Sequence, residues 1–486
     1  MAAALMLCGT GSHVGKSLLT AAFCRLFARQ GLRVAPFKSQ NMSNNAAVCD
    51  GGEIGRAQAL QARAAGLSPH VDMNPILLKP VGEARSQVVV HGQVWDTLDV
   101  TDYHRFKETD GRRIAGESYR RLSENADLVV IEGAGSPAEI NLKDHDIANL
   151  WVADMADARV LLVGDIDRGG VFAAFAGTLE LLNPAERARI AGFLINKFRG
   201  RADLLIPAID YLRERYGKPT FGVIPMLEHT LPEEDGLGVA DRGGGFGAER
   251  LNIAVIHLPR IANFTDFDPF TVEPDVSLGF VDRPEQLAGA DMIILPGSKA
   301  VIPDLAWLKA RGLDVAIREH AGKGGAVAGI CGGYQMLGRH ISDPHGVEQG
   351  GEAQGLGLLD CDTVMAEDKR CERVFLRPAT ASGLGTMPLE GYEIHMGRTR
   401  IAGGTPLFAD APEGTGVRVG NVWGSYLHGL FESDAARRAL LAPLRDHKGL
   451  AEPEAVVFAD LVERSLDSLA DTVAKYVDMD AVRGLL

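Results

Sequence analysis

The chain has 486 residues, 46% hydrophobic and 23% charged, with a formal net charge of -14. That length predicts two to three domains with a substantial core, and the acidity argues against a general nucleic-acid surface. Cys8, Cys24, Cys49, Cys331, Cys361 and Cys371 show neither a CxxC pair nor zinc spacing, which fits free thiols in a reducing cytoplasm. No uninterrupted apolar stretch is long enough to span a membrane.

Met1 to Cys8 is apolar, lacks a charged leader and runs straight into glycines, so it predicts a first β-strand rather than a signal peptide. Gly9-Thr10-Gly11-Ser12-His13-Val14-Gly15-Lys16-Ser17 follows, and a helical run then extends to about Gln30. Strand, glycine turn and helix in that order predict a phosphate-binding loop. The backbone around Thr10, Gly11, Val14 and Gly15 would cradle phosphate oxygens of ATP. Lys16 would reach the β- and γ-phosphates, and the Ser17 hydroxyl would bind Mg²⁺. The first glycine stands one residue earlier than in the simplest form of this motif.

Arg33 to Phe37 predicts a second strand, ending in Lys38-Ser39-Gln40-Asn41-Met42-Ser43-Asn44-Asn45. Strand C-terminal ends face the ligand crevice of an open parallel sheet. Lys38, Gln40, Asn41 and Asn44 are therefore candidates for substrate carboxylates and the γ-phosphate. Glu53 to Ala65 predicts a helix. Asp127 to Ile131 predicts a buried strand delivering Glu132 to the place of a Mg²⁺ ligand. Arg159 to Val163 repeats the pattern and leads to Asp165 and Asp167, weaker candidates for substrate or metal contact. Ile190 to Ile195 runs into Asn196. The alternation of strands and helices predicts a doubly wound parallel sheet.

Glu228 to Arg250 is turn-rich and charged and predicts a linker. A second α/β pattern restarts at Leu251. Within it, Ala326 to Ile330 leads into Gly329-Ile330-Cys331-Gly332-Gly333-Tyr334-Gln335. A nucleophile between glycines, after an apolar run and before a helical one, predicts a strained elbow presenting Cys331. Its base is expected at His428, which follows another strand-like run, Gly416 to Trp423. His395, in the alternating segment Gly391 to Gly397, is a rival base that reads as an outward-facing or satisfied histidine. Ala435 to Leu485 is helical by pattern and predicts a C-terminal cap. The expected division is 1–228 for the ATP-dependent half, 229–250 for the linker, 251–445 for the cysteine-bearing half, and 446–486 for a helical extension.

Gly-x-Cys-x-Gly with a distant strand-end His resembles class I, triad-type glutamine amidotransferases. The resemblance implies that Cys331 attacks the glutamine amide, and that Gly297-Ser298 belong to an oxyanion loop. Many such domains carry a Glu two residues after the His; here Leu430 stands there, so the orienting carboxylate is absent or is Glu432. The lengthened phosphate loop resembles that of dethiobiotin synthetase and its relatives, which implies that Asn196 contacts adenine. The whole chain, with its Asn-rich loop and Glu132-Gly133-Ala134-Gly135-Ser136-Pro137-Ala138-Glu139, closely resembles the cobyric acid synthase family. That implies a dethiobiotin synthetase-like P-loop domain followed by a class I glutamine amidotransferase-like domain. It also implies glutamine- and Mg-ATP-dependent amidation of the b, d, e and g carboxylates of adenosylcobyrinic acid a,c-diamide. The partners implied are small molecules (corrinoid, glutamine, ATP), with no nucleic acid or membrane. Two other readings stay open: the paralogous a,c-diamide synthases, and a regulatory P-loop ATPase with a degenerate amidotransferase module.

Overall fold

The computed structural model describes residues 2–82, 84–227, 229–232 and 246–486. The first half is built on a six-stranded parallel sheet. Its order is Thr220–Pro225, Ile190–Phe198, Arg159–Asp165, Ala3–Gly9, Leu128–Glu132 and Val34–Phe37. Helices cover both faces, so the central strands are apolar throughout rather than alternating; Leu5, Met6, Leu7 and Cys8 are all fully buried. Ala3–Gly9 lies between strands that continue far along the chain. All their C-terminal ends open on one edge, where the phosphate loop and Glu132 sit.

The helix after the phosphate loop is Lys16–Arg29, and its first turn is preceded by Gly15 at φ 97°. Only glycine suits that position: the conformation is left-handed, and a Cβ there would lie 2.2 Å from Asn196 Nδ2.

The second half holds a seven-stranded sheet ordered Val276–Val281, Leu251–Ile256, Met292–Leu295, Ala326–Ile330, Val422–Ser425, Gly416–Val419 and Thr405–Pro406. The first five strands are parallel and the last two antiparallel. Doubly wound α/β architecture is thus present in both halves.

Four expectations need correction. Gly416 to Trp423 is two strands of a hairpin turning at Gly420, which has φ 59°. The expected helix from Glu53 begins only at Arg56, because Gly52–Gly55 pairs antiparallel with Ala46–Cys49. Residues 228 and 233–245 of the expected linker lie outside the described residues. The described part is not free of the core: Leu231 is buried in it, and Thr230 hydrogen-bonds Ser465 at 2.8 Å.

The fourth correction concerns the C-terminal helices. Asp434–Lys448 packs on the second half, its Arg437 and Arg445 both paired with Glu273. Phe458–Tyr476 crosses back to the first half instead. Its Phe458, Val462, Leu466, Leu469 and Val473 join one core with Leu5, Leu19, Phe23 and Phe27. Arg25 pairs with Glu463 and Asp467 across the same contact.

Candidate active site

In the first half, Glu132 sits at the sheet edge with its carboxylate 1% exposed. Ser17 Oγ donates to its Oε1 at 2.8 Å, and Lys38 Nζ lies 2.9 Å from the same oxygen. Gln61 donates to Oε2 at 2.5 Å, and Gln58, itself bonded by Asn41, donates at 3.4 Å. Two buried carbonyl amides and an ammonium thus fix one carboxylate against the first turn of the phosphate-loop helix. Lys16 folds back over the loop, with Nζ bonded to the carbonyls of Gly11 at 2.8 Å and Gly135 at 3.1 Å. Asn196 is buried behind the loop and donates to Val14 O at 2.9 Å, while its neighbour Lys197 bonds His13 O and Asp165.

These oxygen donors suit Mg²⁺. Ser17 Oγ and Glu132 Oε1 are separated by about the edge of an octahedron of oxygens, and Mg²⁺ keeps few protein ligands beside phosphate and water. Among the described residues no cluster of three or more His, Cys, Asp or Glu is placed to hold a metal.

Thr10 N bonds Val163 O, which anchors the start of the loop. From the loop opens a cleft of about 1820 Å³, lined among others by Lys16, Ser17, Lys38, Gln40, Asn41 and Glu132. Asp165 and Asp167 line it too. Asn44 does not: it faces a separate small cavity beside Cys331, where its Oδ1 is buried without a hydrogen-bond partner among the described residues. Its expected place in the carboxylate site is therefore corrected. The loop from Lys38 leaves the cleft after Met42 and travels toward the second half.

In the second half, Ala326–Ile330 leads into Cys331 at φ 51°, ψ -108°, immediately before the short helix Gly332–Leu337. The strain at Cys331 is held by close packing around its glycines. A Cβ on Gly333 would stand 1.9 Å from Leu295 O, and one on Gly332 would stand 2.7 Å from Ser298 N. The same contact brings the Gly297–Ser298 backbone against the elbow, where an oxyanion site belongs. Ser298 Oγ is fixed by Asp304 at 2.6 Å and caps Ala300 N at 3.0 Å.

His428 is fully buried across the small cavity from Gly297. Its Nδ1 lies 2.6 Å from Asp266 Oδ2, and Gly429 N donates to the other carboxylate oxygen at 3.3 Å. Its Nε2 is buried without a hydrogen-bond partner among the described residues. Burial alone would lower the His428 pKa, but the Asp266 carboxylate, and then the Cys331 sulfur, outweigh it and raise the pKa to about 10. Tyr392 stacks on the ring at 5.2 Å. His395 is a satisfied histidine, bonded to Gly397 O at 2.9 Å and stacked on Tyr426.

The third member beside Cys331 and His428 is therefore Asp266, which sequence reasoning missed. Glu432 instead pairs with Arg56 of the first half. Asp266 sits in the 3₁₀ segment Phe264–Val272, among Phe264, Phe267 and Phe270. A carboxylate buried in an aromatic run was the available signal.

The two sites touch. Asn45 Oδ1 accepts from Phe264 N at 3.1 Å, and Ala46 N donates to Asn263 Oδ1 at 2.9 Å. Asn263 Nδ2 in turn lies 3.5 Å from His428 Nδ1. Below this contact Glu53 is buried between Lys79 of its own half and Lys369 of the other. Burial would raise its pKa, but the two ammonium groups outweigh it and hold it at about 2.

Comparison with known proteins agrees with this arrangement. Residues 5–236 match the model of the CobQ/CobB/MinD/ParA nucleotide binding domain, and residues 252–436 match that of the CobB/CobQ-like glutamine amidotransferase domain. The chain is 50% identical to the cobyric acid synthase of Desulforudis audaxviator, over 99% of this chain and 99% of that one. It is 49% identical to the Moorella thermoacetica cobyric acid synthase (100% and 98% covered) and 48% identical to that of Sorangium cellulosum (99% and 98%). With both domain models matched in order and the likeness running the full length, the chain belongs to the cobyric acid synthase family.

Proposed function

We propose that the chain makes adenosylcobyric acid from adenosylcobyrinic acid a,c-diamide, amidating the b, d, e and g carboxylates with glutamine and ATP through acyl phosphates. The observation that carries this reading is the direct junction of the two sites: the loop that starts at Lys38, against Glu132, ends hydrogen-bonded to the residues flanking Asp266.

In the second half Cys331 Sγ attacks the carboxamide carbon of glutamine. The oxyanion forms beside the Gly297–Ser298 backbone, whose N–H groups are fixed before the reaction. The His428 imidazolium, held by Asp266, gives its proton to the departing nitrogen, and ammonia leaves. A thioester stays on Cys331 and is hydrolysed to glutamate. The small cavity beside Cys331 is lined also by Asn44 and Lys79 of the first half, so ammonia released there stands at the domain junction, sheltered from protonation by bulk water.

In the first half, Lys38 and Gln40 hold the substrate carboxylate next to the phosphate loop, and Lys16 moves from the Gly11 and Gly135 carbonyls to the phosphates. Ser17 and Glu132 would hold Mg²⁺, which supplies charge neutralisation for phosphoryl transfer. A carboxylate is a poor electrophile, and phosphorylation gives it a leaving group that ammonia displaces.

The test follows the corrinoid by mass spectrometry with Mg-ATP and glutamine, then with Cys331→Ser and added ammonium. Four successive acid-to-amide conversions, with the variant active only on ammonia, are expected. ATP hydrolysis without amide formation from either nitrogen source would overturn the reading and favour a regulatory ATPase.

A further inference from the structure

One long helix borders the cleft, and it is interrupted. Val100–Phe106 and Arg112–Asn125 are α-helical, and Lys107–Gly111 between them forms a π turn. A π turn gives up regular helix hydrogen bonds, and such turns occur most often where a side chain is being placed for a function. Here its i→i+5 ladder brings Lys107 and Arg112 into line, and both side chains line the cleft.

Lys107 is only 8% exposed, yet it makes no ion pair and no hydrogen bond among the described residues. Its ammonium lies 5.4 Å from the centre of the Tyr103 ring, and its pKa is lowered by burial, with Asp146 and Glu108 acting the other way. Tyr103 in turn donates to Gln40 Oε1 at 2.7 Å, so Lys107 adjoins the loop that begins at Lys38. Arg112 lies over Trp151 at 5.7 Å and donates to Asp144 O at 3.4 Å, while its Nε is buried without a partner among the described residues. Met42, 56% exposed, and Leu142 supply apolar surface around the same opening. A buried cation is ordinarily paired. A cation without an ion pair beside a second whose Nε is unmatched, at a cleft that also offers apolar surface, fits a ligand with an apolar body and several anionic arms.

We propose that Lys107, supported by Arg112, is a second carboxylate anchor: it binds one side-chain carboxylate of the polyacid substrate while another is presented to Lys38 and the phosphate loop. This rests on the polycarboxylate reading of the substrate above. A rigid ring bearing several similar acids cannot be oriented by its reacting arm alone, and a fixed cation at a distance sets which arm reaches the phosphate. The product is itself an acid and keeps one carboxylate, so an arm other than the reacting one is available to Lys107 at every amidation.

The experiment compares wild type, Lys107→Met and Lys107→Arg, measuring kcat and the KM for the corrinoid diamide and for ATP. For Lys107→Met the corrinoid KM is expected to rise roughly 10- to 100-fold, the size of one charge-assisted hydrogen bond. The KM for ATP is expected to stay within a few-fold, and Lys107→Arg to recover most of the loss. A rise of the same size for both substrates, or no rise for either, overturns the anchor. If Lys107→Met does not fold, as judged by thermal unfolding, Arg112→Met is put through the same pair of substrates and read the same way. Wild-type protein that does not turn over the corrinoid overturns the substrate reading itself, and the anchor with it.

Discussion

Asp266→Asn would keep the size of the side chain that orients His428 while removing its charge. Glutamine hydrolysis is expected to fall on the order of 10³- to 10⁴-fold, as when the carboxylate of a comparable triad is neutralised. Amidation from added ammonium is expected to survive. The same pair has a pH signature. The His428 pKa is raised in the folded protein to about 10 from 6.5, so its contribution to stability is complete below 6.5 and is lost as pH rises through 10. Unfolding temperature measured between pH 6.5 and 10 should therefore fall more steeply for wild type than for Asp266→Asn; parallel curves would contradict the assignment. The places of Cys331, His428, Lys16 and Glu132 at or just beyond strand ends could be read from the chain, because local residue order marks where an apolar run meets a turn. Asp266 could not. Its partner is 162 residues away, it lies in a 3₁₀ segment, and the only local sign is a carboxylate among phenylalanines.

Among elements, the segment from Lys38 to Ala46 is fixed at both ends: at one by the ion pair with Glu132, at the other by Asn263 and Phe264. A shift of Glu132 or Ser17 on nucleotide binding would be passed along it to the residues beside His428. Asn45→Ala removes the acceptor for Phe264 N and leaves that buried donor unmatched, a loss of about 1–3 kcal/mol at the junction. The expected result is weaker coupling: more glutamate formed per amide, with glutamine hydrolysis less dependent on ATP, measured as the ratio of the two products. An unchanged ratio would show that this contact only joins the domains. The segment's polarity could be read in the sequence, but its exit from the cleft could not. That path depends on the hairpin Ala46–Cys49 with Gly52–Gly55, which packs against the strands Cys361–Leu376 and Leu389–Ile401, more than 300 residues later.

Across the whole molecule, the boundary between halves is not a single crossing. The large apolar side chains of Phe458–Tyr476 that are buried against the first half number five: Phe458, Val462, Leu466, Leu469 and Val473. At roughly 1.5–3 kcal/mol each they contribute about 7–15 kcal/mol, as much as a domain's whole stability. A chain ending at Lys448 is expected to lose ATP-dependent amidation and to show the first half unfolded in calorimetry, while glutamine hydrolysis by the second half persists at a low level. Retention of the full unfolding enthalpy would refute this. The helical pattern of this region was plain in the sequence, but an amphipathic stripe does not name the surface that covers it.

The returning helix also sets an order on the ribosome. The first sheet is translated early, yet the helix that closes its core emerges only after the second domain. Synthesis of the roughly 230 intervening residues takes about 10–45 s at typical rates. Through that interval Leu19, Phe23 and Phe27 lack their partner helix. Over those seconds the half-made protein presents a sticky apolar face, a natural target for holding chaperones. It also follows that the ATP site matures last, so a nascent chain does not spend nucleotide before its ammonia supply has folded.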